Sequence, residues 1–181
     1  MKAVSIKKFV ICGAAAILSM CVALQAHAGF VGNVVHADYL FPDIGNAYKN
    51  LGDAAVNAAG PEFSVKFAST ITADISDTNI LIDIFDVNSF FVPSIFNGFH
   101  FSDASGTLSP ITGVTIASTN NFDFNASDIT FDADDIFLNF QGRSVVPDSS
   151  LLLNVTFIPE PMSALLFGLG LTFIGITRRK N

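Results

Sequence analysis

Alternation of apolar and polar residues is the feature that most constrains how this chain can fold. In the segment ILIDIF, Ile80, Ile82 and Ile84 form one stripe, and Leu81 and Asp83 lie on the opposite face. The same period recurs in four other segments, at Phe63, Val65 and Phe67, at Ile129 and Phe131, at Ile136, Leu138 and Phe140, and at Leu151, Leu153, Val155 and Phe157. Period two at this spacing is typical of an antiparallel sandwich or barrel. We therefore expect an all-β fold, an antiparallel β-sandwich that is jelly-roll-like.

One segment departs from the strand pattern. Residues 47–59 (AYKNLGDAAVNAA) have the composition of a helix, but Gly52 weakens a helix at this place. A helix, a strand and a loop are all open for this segment.

Residues 1–28 have the organisation of a secretory signal peptide. Three lysines precede an apolar stretch at 9–24, and Ala26-His27-Ala28 forms a small-x-small cleavage site. We expect a signal helix that is recognised by the export machinery and removed by signal peptidase between Ala28 and Gly29. An uncleaved anchor helix is the alternative.

Both cysteines, Cys12 and Cys21, lie within residues 1–28. The mature domain therefore has no thiol for a disulfide bond or for cysteine catalysis. The segment Leu18-Ser19-Met20-Cys21 loosely matches a lipoprotein cleavage box, which makes lipidation at Cys21 a further alternative, although Met20 is large for that peptidase.

Charge is distributed unequally along the chain. Residues 29–158 hold fifteen of the sixteen acidic residues but only Lys49, Lys66 and Arg143 among the basic ones, which gives a formal charge of −12. A surface that binds phosphates needs clustered Lys and Arg. We therefore expect no nucleic-acid partner, and divalent cations are the natural counter-ions.

Residues 29–158 lack the motifs of common enzyme classes. They contain two histidines, His36 and His100, one glutamate, and no Gly-x-Ser-x-Gly, phosphate-binding glycine loop or His-Glu-x-x-His. Two Asp carboxylates at a suitable separation would suffice for glycoside hydrolysis. Without a recognisable nucleophile and base, we expect a protein that is not an enzyme and requires no cofactor.

Two groups of residues carry the chemistry of metal ligands. His36 and Asp38 are two residues apart, so they share one face of a strand, either as a ligand pair or as part of an ordinary polar surface. Asp132, Asp134 and Asp135 in FDADD offer the hard oxygens that Ca²⁺ prefers. The glycine and the distal glutamate of a calcium loop are missing, so a charged strand edge is the competing interpretation.

Phenylalanine is abundant, whereas the polar aromatic residues are scarce. Sixteen of the nineteen phenylalanines lie in residues 29–158, where we expect most of them to fill the core. Phe90-Phe91 and the FNGFHF run are too dense for strict alternation, so we expect some of these rings at an exposed contact surface. Carbohydrate sites favour Trp and Tyr platforms. With no Trp and only Tyr39 and Tyr48, a sugar site would rely on Phe, Asp, Asn and backbone groups.

Residues 158–181 (IPEPMSALLFGLGLTFIGITRRKN) combine two prolines, an apolar span and a basic end. Pro159 and Pro161 lack amide hydrogens and keep the preceding residues extended, which suits a protease. Residues 162–177 are apolar or small and would span about 24 Å as a helix, so we expect a single transmembrane helix. The positive-inside bias keeps the basic cluster cytoplasmic and leaves the rest of the protein outside. This cluster consists of Arg178, Arg179 and Lys180.

Pro159-Glu160-Pro161, the glycine-containing span and the basic cluster together resemble the PEP-CTERM sorting signal, with Ile158 where valine is usual. This signal is found on exported proteins of Gram-negative bacteria that make extracellular polysaccharide. The resemblance implies recognition by exosortase, a membrane-embedded cysteine transpeptidase that releases the tail. A permanent single-span anchor is the alternative. The segments FNGFHFSD, ITGVTI, ASDITFDADDIFLNFQG and LLLNVTF are also similar to a β-sandwich module of other PEP-CTERM proteins, which brings no functional residues with it.

The chain is thus expected to have three parts: a signal peptide at 1–28, a β-sandwich domain at 29–158, and a sorting signal at 159–181 whose basic tail is 178–181. We expect an inner-membrane intermediate and then delivery to the cell envelope, the cell surface or the exterior. The expected role is structural or adhesive in an extracellular polysaccharide matrix or biofilm. A Ca²⁺- or carbohydrate-binding β-sandwich module is the alternative.

Overall fold

The computed structural model describes residues 28–57, 59–85 and 88–158 of the chain. These residues belong to one compact unit, Ala28–Ile158, which we call the β-domain. The predicted signal helix before Ala28 and the predicted transmembrane helix at 162–177 lie outside the described residues. Among the described residues, no helix is long and apolar enough to cross a membrane.

The β-domain is all-β and antiparallel, as the alternation predicts. In chain order its strands are β1 (Val34–Leu40), β2 (Ala47–Ala55), β3 (Phe63–Lys66), β4 (Thr70–Ile75), β5 (Asn79–Phe85), β6 (Ser89–Phe90), β7 (Gly98–Asp103), β8 (Ile111–Phe122), β9 (Ile129–Phe131), β10 (Asp135–Asn139) and β11 (Ser144–Phe157). A 3₁₀ turn, Ala126–Asp128, precedes β9.

The first sheet has the strand order β2-β1-β7-β10-β9. The segment 47–59, which was open between helix, strand and loop, forms mainly strand β2. Gly52 has φ +84° and pairs with Ala37, where the register between β1 and β2 shifts. Because glycine reaches positive φ without steric cost, the residue that disfavours a helix here supports an irregular strand.

The second sheet is organised around the long strand β11. Residues 149–154 of β11 pair with β5, and its first two residues pair with β6. Strand β8 lies on the opposite edge, because Leu151 pairs with both Ile82 of β5 and Thr119 of β8. Strands β4 and β3 extend the sheet beyond β5.

Buried residues of both sheets belong to one hydrophobic cluster. In β5, Ile80, Ile82 and Ile84 are buried while the residues between them are more exposed, and β4 and the second half of β11 follow the same rule. Fully burying a side chain of this size stabilises the fold by roughly 1.5–3 kcal/mol. The predicted alternation is therefore confirmed in the strands that carry much of the core.

The phenylalanines mostly fill this core, as predicted. Ten of the sixteen phenylalanines in the β-domain are buried. Because the domain has no cysteine and so no disulfide bond, it depends on the packing of these aromatic rings. The prediction that Ile129 and Phe131 form an apolar stripe facing the core is wrong. Strand β9 is the outer strand of the first sheet, so Ile129 is only partly buried and Phe131 is exposed.

The first and the last residues of the β-domain lie close together, at one end of the domain. The rings of Phe30 and Phe157 lie 5.0 Å apart in an edge-to-face contact. The Phe30 amide donates to the carbonyl oxygen of Asp77, and the Ile158 amide donates to that of Pro110. From this end, β11 leads back twelve residues to Val145, a distance of up to roughly 40 Å at about 3.3 Å per residue.

Candidate functional site

A cleft of about 280 Å³ opens at the end of the β-domain where β11 begins. Fourteen described residues from β1, β2, β4, β5, β6, β11 and the adjoining loops line it, and we call it the aromatic cleft. Six of them carry aromatic rings: Tyr39, Phe41, Tyr48, Phe67, Phe90 and Phe91. Its volume is close to the lower end of ordinary ligand pockets, about 300–1,000 Å³.

A neutral hydrogen-bonded pair forms part of the cleft lining. The hydroxyl of Tyr39 donates to Asn97 Oδ1 at 2.7 Å, and Asn97 Nδ2 donates to the carbonyl oxygen of Val92 at 3.0 Å. The backbone N–H of Asn97 donates to Asn139 Oδ1 at 3.0 Å, which fixes the loop against β10. Burial raises the pKa of Tyr39 far above its usual value, so the phenol stays neutral.

The rim of the cleft is aromatic and exposed. The ring of Phe67, in the β3–β4 turn, lies 4.7 Å from the ring of Tyr39 and 5.8 Å from that of Tyr48. Tyr48 is 63% exposed and Phe90 is 53% exposed. Large apolar side chains that remain open to water around a concavity mark a contact site more often than a packing defect.

The prediction of exposed rings in the dense phenylalanine runs is correct at one position only. Phe90 is exposed at the cleft, whereas Phe91, Phe96, Phe99 and Phe101 are buried. Phe67 also lines the cleft, although the alternation places it with the core residues Phe63 and Val65. It follows the last residue of β3, so the turn carries it to the edge of the core.

A second group of polar residues, the polar face, lies on the outer side of the first sheet. His36 Nδ1 lies 2.6 Å from Asp53 Oδ1, and His36 Nε2 lies 3.3 Å from Asp38 Oδ2. On the next strands, His100 Nε2 lies 2.7 Å from Asp135 Oδ1. The contact between His36 and Asp38 agrees with the predicted placement on one strand face. Neither Asp53 nor Asp135 could be assigned as a partner from the sequence, because the pairing depends on strand register.

No family model, curated protein or solved structure matches this chain.

The calcium candidates Asp132, Asp134 and Asp135 do not converge on a common point. Asp132 Oδ1 accepts hydrogen bonds from the amides of Asp134 and Asp135, so it closes a turn before β10. Asp135 itself turns to His100 on the polar face. Within residues 28–57, 59–85 and 88–158, no group of three or more His, Cys, Asp or Glu side chains is arranged to hold a metal ion.

The sorting residues fall outside the structural description. Pro159, Glu160 and Pro161 and the basic cluster at 178–180 lie beyond Ile158, the last described residue. At the predicted cleavage site, Ala28 and Gly29 are described. Gly29 packs so closely against Asp77 that a Cβ at this position would overlap the Asp77 carboxylate.

The ionisation of His36 is expected to make the stability of the β-domain depend on pH. The hydrogen bond to Asp53 raises the pKa of His36 above its usual 6.5, burial opposes this effect, and the negative charge of Asp38 adds to it. Because the folded state holds the proton more tightly, the stabilisation is complete below about pH 6.5 and is lost as the pH rises through the folded-state pKa.

A comparison of the wild-type protein with His36→Gln tests this expectation. Urea unfolding at about pH 5.5 and about pH 8.5 should show a difference in unfolding free energy that is larger at the lower pH. Asp53→Asn should lower the pKa of His36 in an NMR titration. A difference between wild type and His36→Gln that is the same at both pH values would contradict the assignment.

Proposed function

We propose that this chain is an exported cell-envelope protein whose β-domain is a jelly-roll-like sandwich with a structural or adhesive role at the cell surface or in an extracellular polysaccharide matrix. The proposed route begins with the export machinery and signal peptidase. It continues through an inner-membrane intermediate held by the C-terminal span and ends with processing by exosortase at Pro159-Glu160-Pro161.

The observation that carries this proposal is the position of the chain ends. Phe30 and Phe157 lie together, so the predicted cleavage site at Gly29 and the predicted sorting motif after Ile158 both adjoin one end of the β-domain. The aromatic cleft opens at the other end, beside the first residues of β11. A protein attached through either terminus would thus present the cleft away from its point of attachment, as an adhesive domain requires.

The last strand also supports a separate tail. Strand β11 pairs with β8 up to Phe157, and the Ile158 amide donates to the Pro110 carbonyl oxygen at 2.9 Å. Pro159 follows at once and has no amide hydrogen with which to continue the ladder. Removal of residues after Pro159 would therefore leave every strand pair of the β-domain intact.

Mass spectrometry of the protein extracted from the envelope of a Gram-negative host that contains exosortase tests the route. We expect a mature protein that begins at Gly29 and lacks the basic cluster at 178–180. A Pro159→Ala/Pro161→Ala double variant should keep its C-terminus at Asn181. Pro147→Ala changes an exposed proline inside the β-domain and should be processed like the wild type.

The alternatives give different results in the same experiment. A wild-type protein that still ends at Asn181 would contradict processing and indicate a permanent anchor. A fatty-acylated Cys21 at the N-terminus would indicate a lipoprotein. The metal-binding alternative needs a separate experiment, calorimetry with Ca²⁺, in which heat of binding or a raised melting temperature is the positive result.

A further inference from the structure

The rim of the aromatic cleft exposes apolar surface that the fold itself does not use. Tyr48 and Phe90 are more than half exposed, and so is Val92 beside them. Ile44 and Ile95, in the neighbouring loops, are exposed as well. The amide of Phe96 donates to the carbonyl oxygen of Pro42 and ties these two loops together. With Phe67 of the rim, at least six of the eleven large apolar residues exposed among the described residues therefore occupy this end of the β-domain.

The charge of the cleft points to an uncharged ligand. None of the fourteen described lining residues is Asp, Glu, Lys, Arg or His, and the Tyr39 phenol stays neutral, so neither an anion nor a cation would meet a counter-ion in the cleft. Lys49 and Lys66 adjoin Tyr48 and Phe67 in the sequence, but neither lines the cleft. The β-domain as a whole carries a formal charge of −12 and would repel an anion.

The hydrogen-bonding groups of the cleft are too few for a sugar. Tyr39 and Asn97 satisfy each other, and Asn97 Nδ2 is held by the carbonyl oxygen of Val92. The other polar side chains in the lining are the hydroxyls of Tyr48 and Ser89, which are at least partly exposed, and that of Ser69, which is buried. A pyranose carries a hydroxyl on most of its carbons, and each one buried without a partner costs about 1–3 kcal/mol.

We propose that the aromatic cleft binds a small neutral compound built on a flat aromatic ring system of about bicyclic size. Its rings would pack against Phe67, Tyr48 and Phe90 of the rim, in the offset or edge-to-face geometries that aromatic pairs prefer. A hydroxyl group on such a ligand would form a hydrogen bond with one of the hydroxyl groups that line the cleft. The inference concerns the β-domain alone and is independent of how the C-terminal tail is processed.

Three compounds that share one ring system and differ in charge test the proposal. They are 1-naphthalenemethanol, which is neutral, 1-naphthoate, which is anionic, and 1-naphthylmethylammonium, which is cationic. Each is titrated calorimetrically into the full-length protein in a mild non-ionic detergent. We expect the neutral compound to bind with a Kd of roughly 10–100 µM and both charged compounds at least about tenfold more weakly, because a charge would lose its hydration in a cleft without a counter-ion. Methyl glucoside should give no heat of binding.

Two variants separate binding in the cleft from adsorption to detergent or to apolar surface. Ala68→Trp is designed to place a bulky ring in the cleft from an exposed position, and Tyr48→Ser removes an aromatic ring of the rim. Each variant should lower the affinity for 1-naphthalenemethanol by about fivefold or more. Phe131→Ser removes an exposed ring that does not line the cleft and should leave the affinity unchanged. Thermal unfolding followed by circular dichroism checks that all three variants fold.

Several results would overturn the proposal. Equal affinity of folded Ala68→Trp and wild type would place binding outside the cleft. Equal or tighter binding of 1-naphthoate or of 1-naphthylmethylammonium would show that the ligand is not neutral. Binding of methyl glucoside in place of the naphthalene compounds would assign the cleft to carbohydrate.

Discussion

Gly98→Ala is expected to destabilise the β-domain by about 3 kcal/mol or more. Gly98 begins β7, between β1 and β10, and its backbone pairs with both neighbours. A Cβ at this position would overlap the carbonyl oxygen of Leu138 and lie 3.0 Å from the Leu138 carbonyl carbon. The clash is with backbone, so no side-chain rotation relieves it, and the β7–β10 ladder must separate.

Gly113→Ala is the matched control for this prediction. Gly113 also lies in a strand, β8, but a Cβ there would be 3.5 Å from Thr156 Oγ1, an ordinary contact. Its unfolding free energy should change by less than about 1 kcal/mol, because alanine has the lower entropy in the unfolded chain. Urea denaturation followed by circular dichroism measures both variants. Similar values for the two would show that β7 and β10 can move apart without cost.

The strands were predictable where one face is buried and the other is not. The alternation in ILIDIF predicts both strand β5 and the side chains that it buries. The prediction is correct because β5 lies between two neighbouring strands, so its environment is uniform along its length. Strand β2 could not be assigned in this way, since it is exposed along much of its length at a sheet edge. Its signal is Gly52, which favours an irregular strand only once the register shift against β1 is known.

The candidate sites were less predictable than the fold because their residues meet through tertiary structure. Tyr39, Phe67 and Phe90 lie on three separate segments, and no spacing in the sequence relates them. The same holds for the 2.6 Å contact between His36 and Asp53, which a register shift in β1 and β2 helps to position. By contrast, His36 and Asp38 share a strand, so their position on one face follows from the period alone.

The sequence also does not show which phenylalanines are buried and which are exposed. Phe90 and Phe91 are adjacent, yet one forms the cleft rim and the other packs in the core. Phe90 ends the short strand β6, whereas the Phe91 amide donates to the carbonyl oxygen of Arg143 and its ring lies 5.1 Å from that of Phe140. Composition shows that the rings are numerous, but only the pairing of β6 with β11 decides which ring faces water.

Phe140→Ala is expected to lower the unfolding free energy by about 3–5 kcal/mol. Phe140 is fully buried just after β10 and is the centre of an aromatic cluster. Its ring centroid lies 5.1 to 6.0 Å from those of four other phenylalanines, Phe91, Phe99, Phe122 and Phe124. Domains of this size have a total stability of about 5–15 kcal/mol, so the loss would be a large fraction of the whole.

Two further variants show how much of this loss comes from volume and how much from ring contacts. Phe131→Ala removes an exposed ring at the edge of the first sheet and should cost less than about 1 kcal/mol. Phe140→Leu keeps most of the apolar volume but loses the edge-to-face contacts, so it should fall between Phe140→Ala and the wild type. A Phe140→Ala cost similar to that of Phe131→Ala would contradict the cluster as a source of stability. Since the β-domain contains no cysteine, no disulfide bond can offset the loss of this packing, and its thermal unfolding should respond to Phe140 directly.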